Sequence, residues 1–248
     1  GMTYSMFSFR SLCYFTYAVL LTVVLLYVRF PAEKFKAFCE KRIERLLPGS
    51  TCNVEHIVYR FPLSAVLETL IIRRMVDGQE ADMVVDRLDI SPEPLQFWRA
   101  FNLKGEMYSG RFEAELDFDT RAQTFQLENI RLEDLEAGEL AKSIGLTDRK
   151  LSGIFGFTGR YQAKNNKPSD GTGEGVIEVA TGRMALLQPI LSLSTIEFEK
   201  IAVSVTREKG MLRFVDGELQ GKEIIADFTG EWRLASPLLN SNIQMSGN

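Results

Sequence analysis

Few residues in this sequence have the types and spacing that chemistry requires. His56 is the only histidine, and its place inside a strand-like stretch indicates a structural imidazole more than a base or a metal ligand. Cys39 and Cys52 match no metal-binding spacing, so they are either two unrelated thiols or a pair formed in an oxidising compartment. We therefore predict neither a zinc site nor a nucleophile with an adjacent base.

Two further stretches resemble ligand sites. Residues 171–175 read Gly-Thr-Gly-Glu-Gly, but they lack the lysine and the following helix of a phosphate cradle, and a loop entering a strand explains them. Glu113, Glu115, Asp117 and Asp119 alternate with apolar residues, which favours a solvated outer strand face over a carboxylate site. We expect no enzymatic activity, no catalytic or metal-binding residues and no cofactor.

The first element of the chain is an uncharged segment, 11–28, bracketed by Arg10 and Arg29. As a helix it measures about 27 Å at about 1.5 Å per residue, close to the thickness of a bilayer core. A cleaved signal peptide is the alternative, but the segment ends without the small residues of a cleavage site, which favours a retained single-pass anchor. The predicted anchor residues are Leu12, Val19, Leu20, Leu21, Val23, Val24, Leu25, Leu26 and Val28.

The chain then divides into three parts: a membrane anchor at 1–30, an amphipathic linker helix at 31–49 and a β-rich domain at 50–248. The linker helix has an apolar stripe from Phe35 to Leu47, which either lies on lipid headgroups or packs on the following sheet. Positive residues are denser after the anchor than before it, so the positive-inside rule alone places the large domain in the cytoplasm. The net charge of −4 argues against a nucleic-acid partner.

From Cys52 onward, apolar residues alternate with polar ones and turn signals recur, which predicts about ten strands in a mainly antiparallel fold. We expect an extended, curved sheet that forms a gutter or an open sandwich. Helices are expected at 95–101 and 135–144, a broken helix or buried loop at 184–194, and a polar loop at 164–172. The apolar strand faces predict a groove lined by Phe112, Leu116, Phe118, Phe155, Phe157, Tyr161, Phe228 and Trp232.

Two stretches carry a resemblance to a known family. RFPAEKFKAFCEKRIERLLPG at 29–49 and CNVEHIVYRFPLSAVLETLIIRR at 52–74 resemble the start of type II secretion system protein N in its delta-proteobacterial form. Residues 171–186 and 191–234 resemble the carboxyl half of that family and the wider AsmA-like group, in which paired strands end in a G-x-L-x-G pattern.

This resemblance implies an anchor in the inner membrane, with the β-rich domain in the periplasm and in contact with other secretion-system subunits. The AsmA-like likeness implies instead an open β-gutter that binds or transfers phospholipid. The periplasmic location opposes the location that the charge count predicts, and we follow the family pattern. The expected function is therefore that of a non-catalytic secretion component, with a lipid-binding or lipid-transfer module as the alternative.

Overall fold

The computed structural model describes residues 6–28, 31–61, 63–76, 78–146, 150–190, 193–222, 224–233 and 242–247. The helices in this part of the chain are α1 (Met6–Val28), α2 (Ala32–Leu46) and α3 (Ala137–Ser143). The strands are β1 (Ser50–Arg60), β2 (Ser64–Val76), β3 (Gln79–Pro92), β4 (Ala100–Met107), β5 (Gly110–Asp119), β6 (Thr124–Glu136), β7 (Ser152–Lys164), β8 (Lys167–Ile190), β9 (Leu193–Glu208), β10 (Met211–Gln220), β11 (Ile225–Arg233) and β12 (Asn242–Gly247).

All of these strands belong to a single 12-stranded sheet whose spatial order follows the chain. Each neighbouring pair is antiparallel. Among the described residues the sheet is not closed, since β1 and β12 remain its two edges. The predicted mainly antiparallel β architecture is confirmed in this form.

Three local predictions were wrong. Residues 93–99 form turns instead of a helix, because Phe101 is already paired with Pro92 in the β3–β4 ladder. The apolar stretch 184–194 is the end of β8 and the start of β9, apart from 191–192, which lie outside the described residues. A continuous apolar run does not distinguish a helix from a buried strand. The polar loop is also shorter than expected, since β8 begins at Lys167.

The outer face of the sheet, as we call it, carries cross-strand ion pairs. Their nitrogen–oxygen distances lie between 2.7 and 3.3 Å. The pairs are Arg73–Asp82, Arg99–Asp117, Arg111–Glu133, Arg131–Glu113, Arg160–Glu174, Arg183–Glu197, Lys200–Glu178 and Arg213–Glu231. Exposed pairs of this kind contribute little to stability because solvent screens them, so their main consequence is a well-solvated face.

The opposite, inner face carries the core, in which apolar side chains of several strands pack together. Val54 of β1 and Leu135 of β6 are both 0% exposed and share one apolar cluster. A second cluster joins Ala137 of α3 to Val179, Phe198 and Leu219 of three later strands. One face of the unclosed sheet is therefore apolar, and the other is charged.

Helix α2 covers the free edge of β1. Glu40 accepts a hydrogen bond from the backbone N–H of Val54 at 2.9 Å, and Glu44 accepts one from Cys52 at 3.1 Å. Cys39 and Ile43 of the predicted stripe pack against the first core cluster, while Phe38 is 63% exposed. The interpretation of α2 as a helix that packs on the sheet is thus confirmed, and its carboxylates satisfy donors that an edge strand otherwise presents to other chains.

Removing the Glu40 acceptor is expected to destabilise this edge. Glu40→Leu leaves the amide of Val54 buried without its acceptor, so we expect the free energy of unfolding to fall by about 1–3 kcal/mol. Glu40→Gln retains a side-chain oxygen and is expected to lose less. Urea unfolding of the two variants measures the difference, and equal stabilities would contradict the role given to the carboxylate.

The thiols of Cys39 and Cys52 lie at the same α2–β1 contact, and both are free. Burial, reinforced by the nearby Glu40 carboxylate, raises the pKa of each thiol from 9.0 to about 11. As the pH rises, the unfolded chain loses these thiol protons before the folded chain does. The contribution of the two thiols to the free energy of unfolding is therefore fully present below pH 9.0 and is lost as the pH rises toward about 11. Urea unfolding across this range is expected to show that fall, and Cys52→Ala is expected to reduce it.

The predicted membrane anchor coincides with α1, whose side chains the structure describes at 11–25 and 28. Every one of these side chains is exposed except that of Val23, which is half-buried. No helix in the described part of the chain combines the length and the apolar character of a membrane span. The predicted transmembrane helix is not supported by this finding and stays a prediction.

Candidate functional site

The eight residues predicted to line a groove all lie on the inner face, and all are half-buried. Residues paired across neighbouring strands point to the same side of a sheet. Phe112 is paired with Leu132, and Phe157 is paired with Ile177. Phe155 packs against both core clusters, so these side chains form one continuous apolar surface.

An aromatic row crosses this surface near one end of the sheet. Phe101, Phe118, Phe125 and Tyr161, on β4, β5, β6 and β7, have consecutive ring centroids 6.2, 6.5 and 6.4 Å apart. Tilted and edge-to-face contacts at such distances are favourable for aromatic rings. The connections 61–63, 93–99, 120–123, 165–166 and 209–210 lie at this end, which we call the loop end.

Several aromatic rings of the inner face pack directly over glycines of a neighbouring strand, so they do not project far from the sheet. A Cβ built on Gly175 would lie 2.5 Å from the Phe157 ring, and one built on Gly217 would lie 2.6 Å from the Phe228 ring. The glycines of 171–175 therefore belong to β8, beside Tyr161 and Phe157, and not to a loop as predicted. Glycine in a strand commonly marks such a close approach of a neighbour.

Helix α3 lies at the opposite end of the sheet, which we call the α3 end. Ala137 and Ala141 are 1% and 4% exposed, and α3 contacts β3, β6 and β7. The helix predicted at 135–144 is confirmed in this shorter form. Its small side chains let α3 lie close to the strands, so α3 covers the inner face at this end.

A positive charge lies among the apolar residues of the inner face. Arg207 of β9 is paired with Gly173 and with Leu212, which is in turn paired with Trp232. The guanidinium carbon lies 5.8 Å from the centroid of the Tyr161 ring, a cation–π distance. The loop end thus combines aromatic rings with a cation, a chemistry that suits an amphiphile with an anionic headgroup.

The residues considered first for chemistry lie elsewhere. His56 is exposed on β1, in register with Glu68. Glu113 and Asp117 are ion-paired on the outer face, as expected for a solvated strand. Asp119 accepts hydrogen bonds from the backbone N–H groups of Ala122 and Arg121, which lower the pKa of its carboxyl. No group of three or more His, Cys, Asp or Glu side chains among the described residues is placed to hold a metal ion.

Sequence reasoning missed Phe101, Phe125, Phe198 and Arg207 as inner-face residues. The signal for Arg207 was present, since it continues the alternation of Val203 and Val205 on one strand face. Phe101 was assigned to a short helix, which hid its place in the strand pattern. Phe198 packs over Gly182 in the second core cluster.

Comparisons of the chain with models of protein families, with curated proteins and with solved structures find no match.

Proposed function

We propose that this protein is anchored to a membrane by residues 11–28 and that its gutter binds the acyl chains of a lipid on the inner face. The observation that carries the proposal is the half-buried apolar surface on one side of an unclosed 12-stranded sheet. A continuous aromatic surface is not expected on a sheet face that contacts only water. Apolar patches of this kind mark binding sites.

The membrane part of the proposal rests on the composition and exposure of α1. Leu12, Phe15 and Leu20 are 59%, 69% and 59% exposed, so these apolar side chains are not covered by the sheet. The segment carries no charged residue from 11 to 28. A lipid environment supplies the cover that the sheet does not. In keeping with the resemblance to type II secretion protein N and AsmA-like proteins, we propose the inner membrane and a periplasmic gutter.

The ligand class follows from the surface. Acyl chains are long and flexible. They can therefore follow an extended apolar surface, such as the inner face with its rings packed over glycines, better than a compact ligand can. Arg207, near the loop end, offers a partner for a phosphate headgroup. We therefore propose a phospholipid as the ligand and no chemical conversion of it.

The proposal is tested by placing a charge on the inner face. Ile177 is half-buried there, while the next residue, Val176, points to the outer face and is 40% exposed. We expect Ile177→Asp to lose the phospholipid that co-purifies with the full chain in mild detergent, because an ionised carboxylate opposes apolar contact. Val176→Asp is the matched control and is expected to retain it.

Lipid extraction and mass spectrometry measure the phospholipid bound per protein chain. Circular dichroism and thermal unfolding establish whether both variants are folded. Equal lipid content in the two folded variants, or none in the unaltered protein, would contradict a lipid-binding gutter.

A second candidate function, a non-catalytic subunit of a type II secretion apparatus, is favoured by a different surface. A cleft of about 500 Å³ on the outer face is lined by apolar Ile154 and Val176 between charged Arg131 and Glu178. Ile154 is 51% exposed. An exposed apolar centre with a charged border is typical of a protein interface.

This second function predicts capture of secretion components. The tagged full chain, isolated in mild detergent, is expected to retain other inner-membrane subunits, and Ile154→Arg is expected to reduce that capture. Arg213→Glu, which changes a charge on the outer face away from this cleft, serves as the control. Isolation of the unaltered protein without any secretion component would count against this function.

A further inference from the structure

Two connections at the loop end carry large apolar side chains that point into solvent. Phe61 and Leu63, between β1 and β2, are 66% and 54% exposed. Leu95, Phe97 and Trp98, between β3 and β4, are 84%, 53% and 67% exposed. The Phe97 and Trp98 rings pack edge to face with centroids 4.8 Å apart. We call these five residues the rim, and side chains of this size at adjacent turns indicate a contact surface.

The two turns of the rim lie side by side. Arg60 is paired with Ser64, so the first turn closes directly beyond the end of β1. Ala65 of β2 is paired with Ile90 of β3, only a few residues before the second turn. The turns are therefore at the same level of the sheet and are separated by about two strand spacings, or about 10 Å.

Helix α2 directs the end of the proposed anchor toward the loop end, where the rim lies. Glu44 contacts Cys52 and Glu40 contacts Val54, so α2 runs antiparallel to β1. Ala32 begins α2 eight residues before Glu40, which places it about 12 Å further toward the loop end. Three residues separate Val28 from Ala32, a connection that reaches at most about 14 Å.

We infer that the rim inserts into the interfacial layer of the bilayer that α1 crosses, so that the loop end of the gutter faces the membrane. Tryptophan and other aromatic side chains are favoured at that depth, where the ring meets both acyl chains and headgroups. The aromatic row of the inner face lies at this same end. A lipid can then pass from the bilayer to the inner face without crossing water.

This inference rests on the proposed anchor, so the test reports on the anchor and on the rim separately. The full chain is reconstituted into phosphatidylcholine vesicles whose acyl chains carry bromine near the headgroup, and binding is followed by flotation. In a Trp98→Phe background, a tryptophan is placed at Leu95 or at Ile225. Ile225 is 83% exposed, much as Leu95 is, but lies at the opposite end of the sheet. Trp232 is a constant background in both variants.

We expect both variants to float with the vesicles, and brominated lipid to quench the added fluorescence of Leu95→Trp but not that of Ile225→Trp. The emission of Leu95→Trp is also expected to shift to shorter wavelength in vesicles. Equal quenching in two variants that both float would overturn the rim inference and leave the anchor intact, in which case the rim is free to bind a protein. Failure of the protein to float would overturn the anchor and the rim together.

Discussion

Placing two arginines in the middle of the proposed anchor, Leu20→Arg with Leu21→Arg, is expected to release the protein from the membrane. Each arginine at the centre of a membrane helix costs about 2.5–3.5 kcal/mol of insertion free energy, so the pair costs about 5–7 kcal/mol. Leu20 and Leu21 are 59% and 44% exposed, and the sheet therefore loses little packing. Carbonate extraction of membranes is expected to find the unaltered protein in the pellet and the variant in the supernatant.

Phe38→Arg is the control for this prediction. Phe38 lies on α2 outside the anchor and is 63% exposed, so its substitution is expected to leave the protein in the pellet. If carbonate released the unaltered protein into the supernatant, the result would contradict the proposed anchor. A mature chain that begins after residue 28 would contradict it as well.

Leu135→Ala is expected to lower the free energy of unfolding by about 2–5 kcal/mol, the usual cost of a cavity at a fully buried leucine. Leu135 is 0% exposed and lies in the cluster that joins β6 to β1 and β2. Truncation of its side chain removes contacts between strands that are distant in the chain. Urea unfolding measures the loss, and an accompanying fall in cooperativity would show that the two halves of the sheet separate.

Ile225→Ala gives the matched comparison, since Ile225 is 83% exposed. Its truncation is expected to change stability by less than about 0.5 kcal/mol. If the two variants unfold at the same urea concentration, the cluster around Leu135 does not hold the strands of the sheet together.

Much of the sheet was predictable because its alternation is regular. The stretch from Phe112 to Asp119 reads apolar and acidic residues in turn, and it forms β5 with its carboxylates on the outer face. The change of phase after Leu127 was also visible in the sequence. It corresponds to an irregularity in the β6–β7 ladder between Leu127 and Ile130, where Asn129 has a φ of +50°, a conformation that asparagine adopts more easily than most residues.

The features that escaped prediction depend on contacts between strands that are far apart in sequence. The core position of Leu135 follows a second irregularity, at Asp134, whose φ is +59°. Alternation alone does not indicate that Val54 shares a cluster with Leu135, because the cluster is assembled by packing between strands that are far apart in the sequence. The sequence also did not indicate that Glu40 and Glu44 accept hydrogen bonds from the backbone of β1, because charged residues on a helix are ordinarily solvated.

The loop end gives the membrane and lipid proposals a common geometry. The rim, the aromatic row and Arg207 all lie there, while α3 fills the other end. The proposals give complementary roles to the exposed hydrophobic residues of the two turns, which would meet the bilayer, and to the half-buried residues of the inner face, which would accept an acyl chain from it.

Photo-crosslinking on the two faces of one strand tests the central claim most directly. A benzophenone amino acid is placed at Phe157, on the inner face, or at Thr158, the next residue, on the outer face. The full-length protein is irradiated in native membranes, and mass spectrometry identifies the adducts. A lipid-binding gutter predicts phospholipid adducts at position 157 and few at 158; the same yield at both positions, or no lipid adduct at 157, would contradict it.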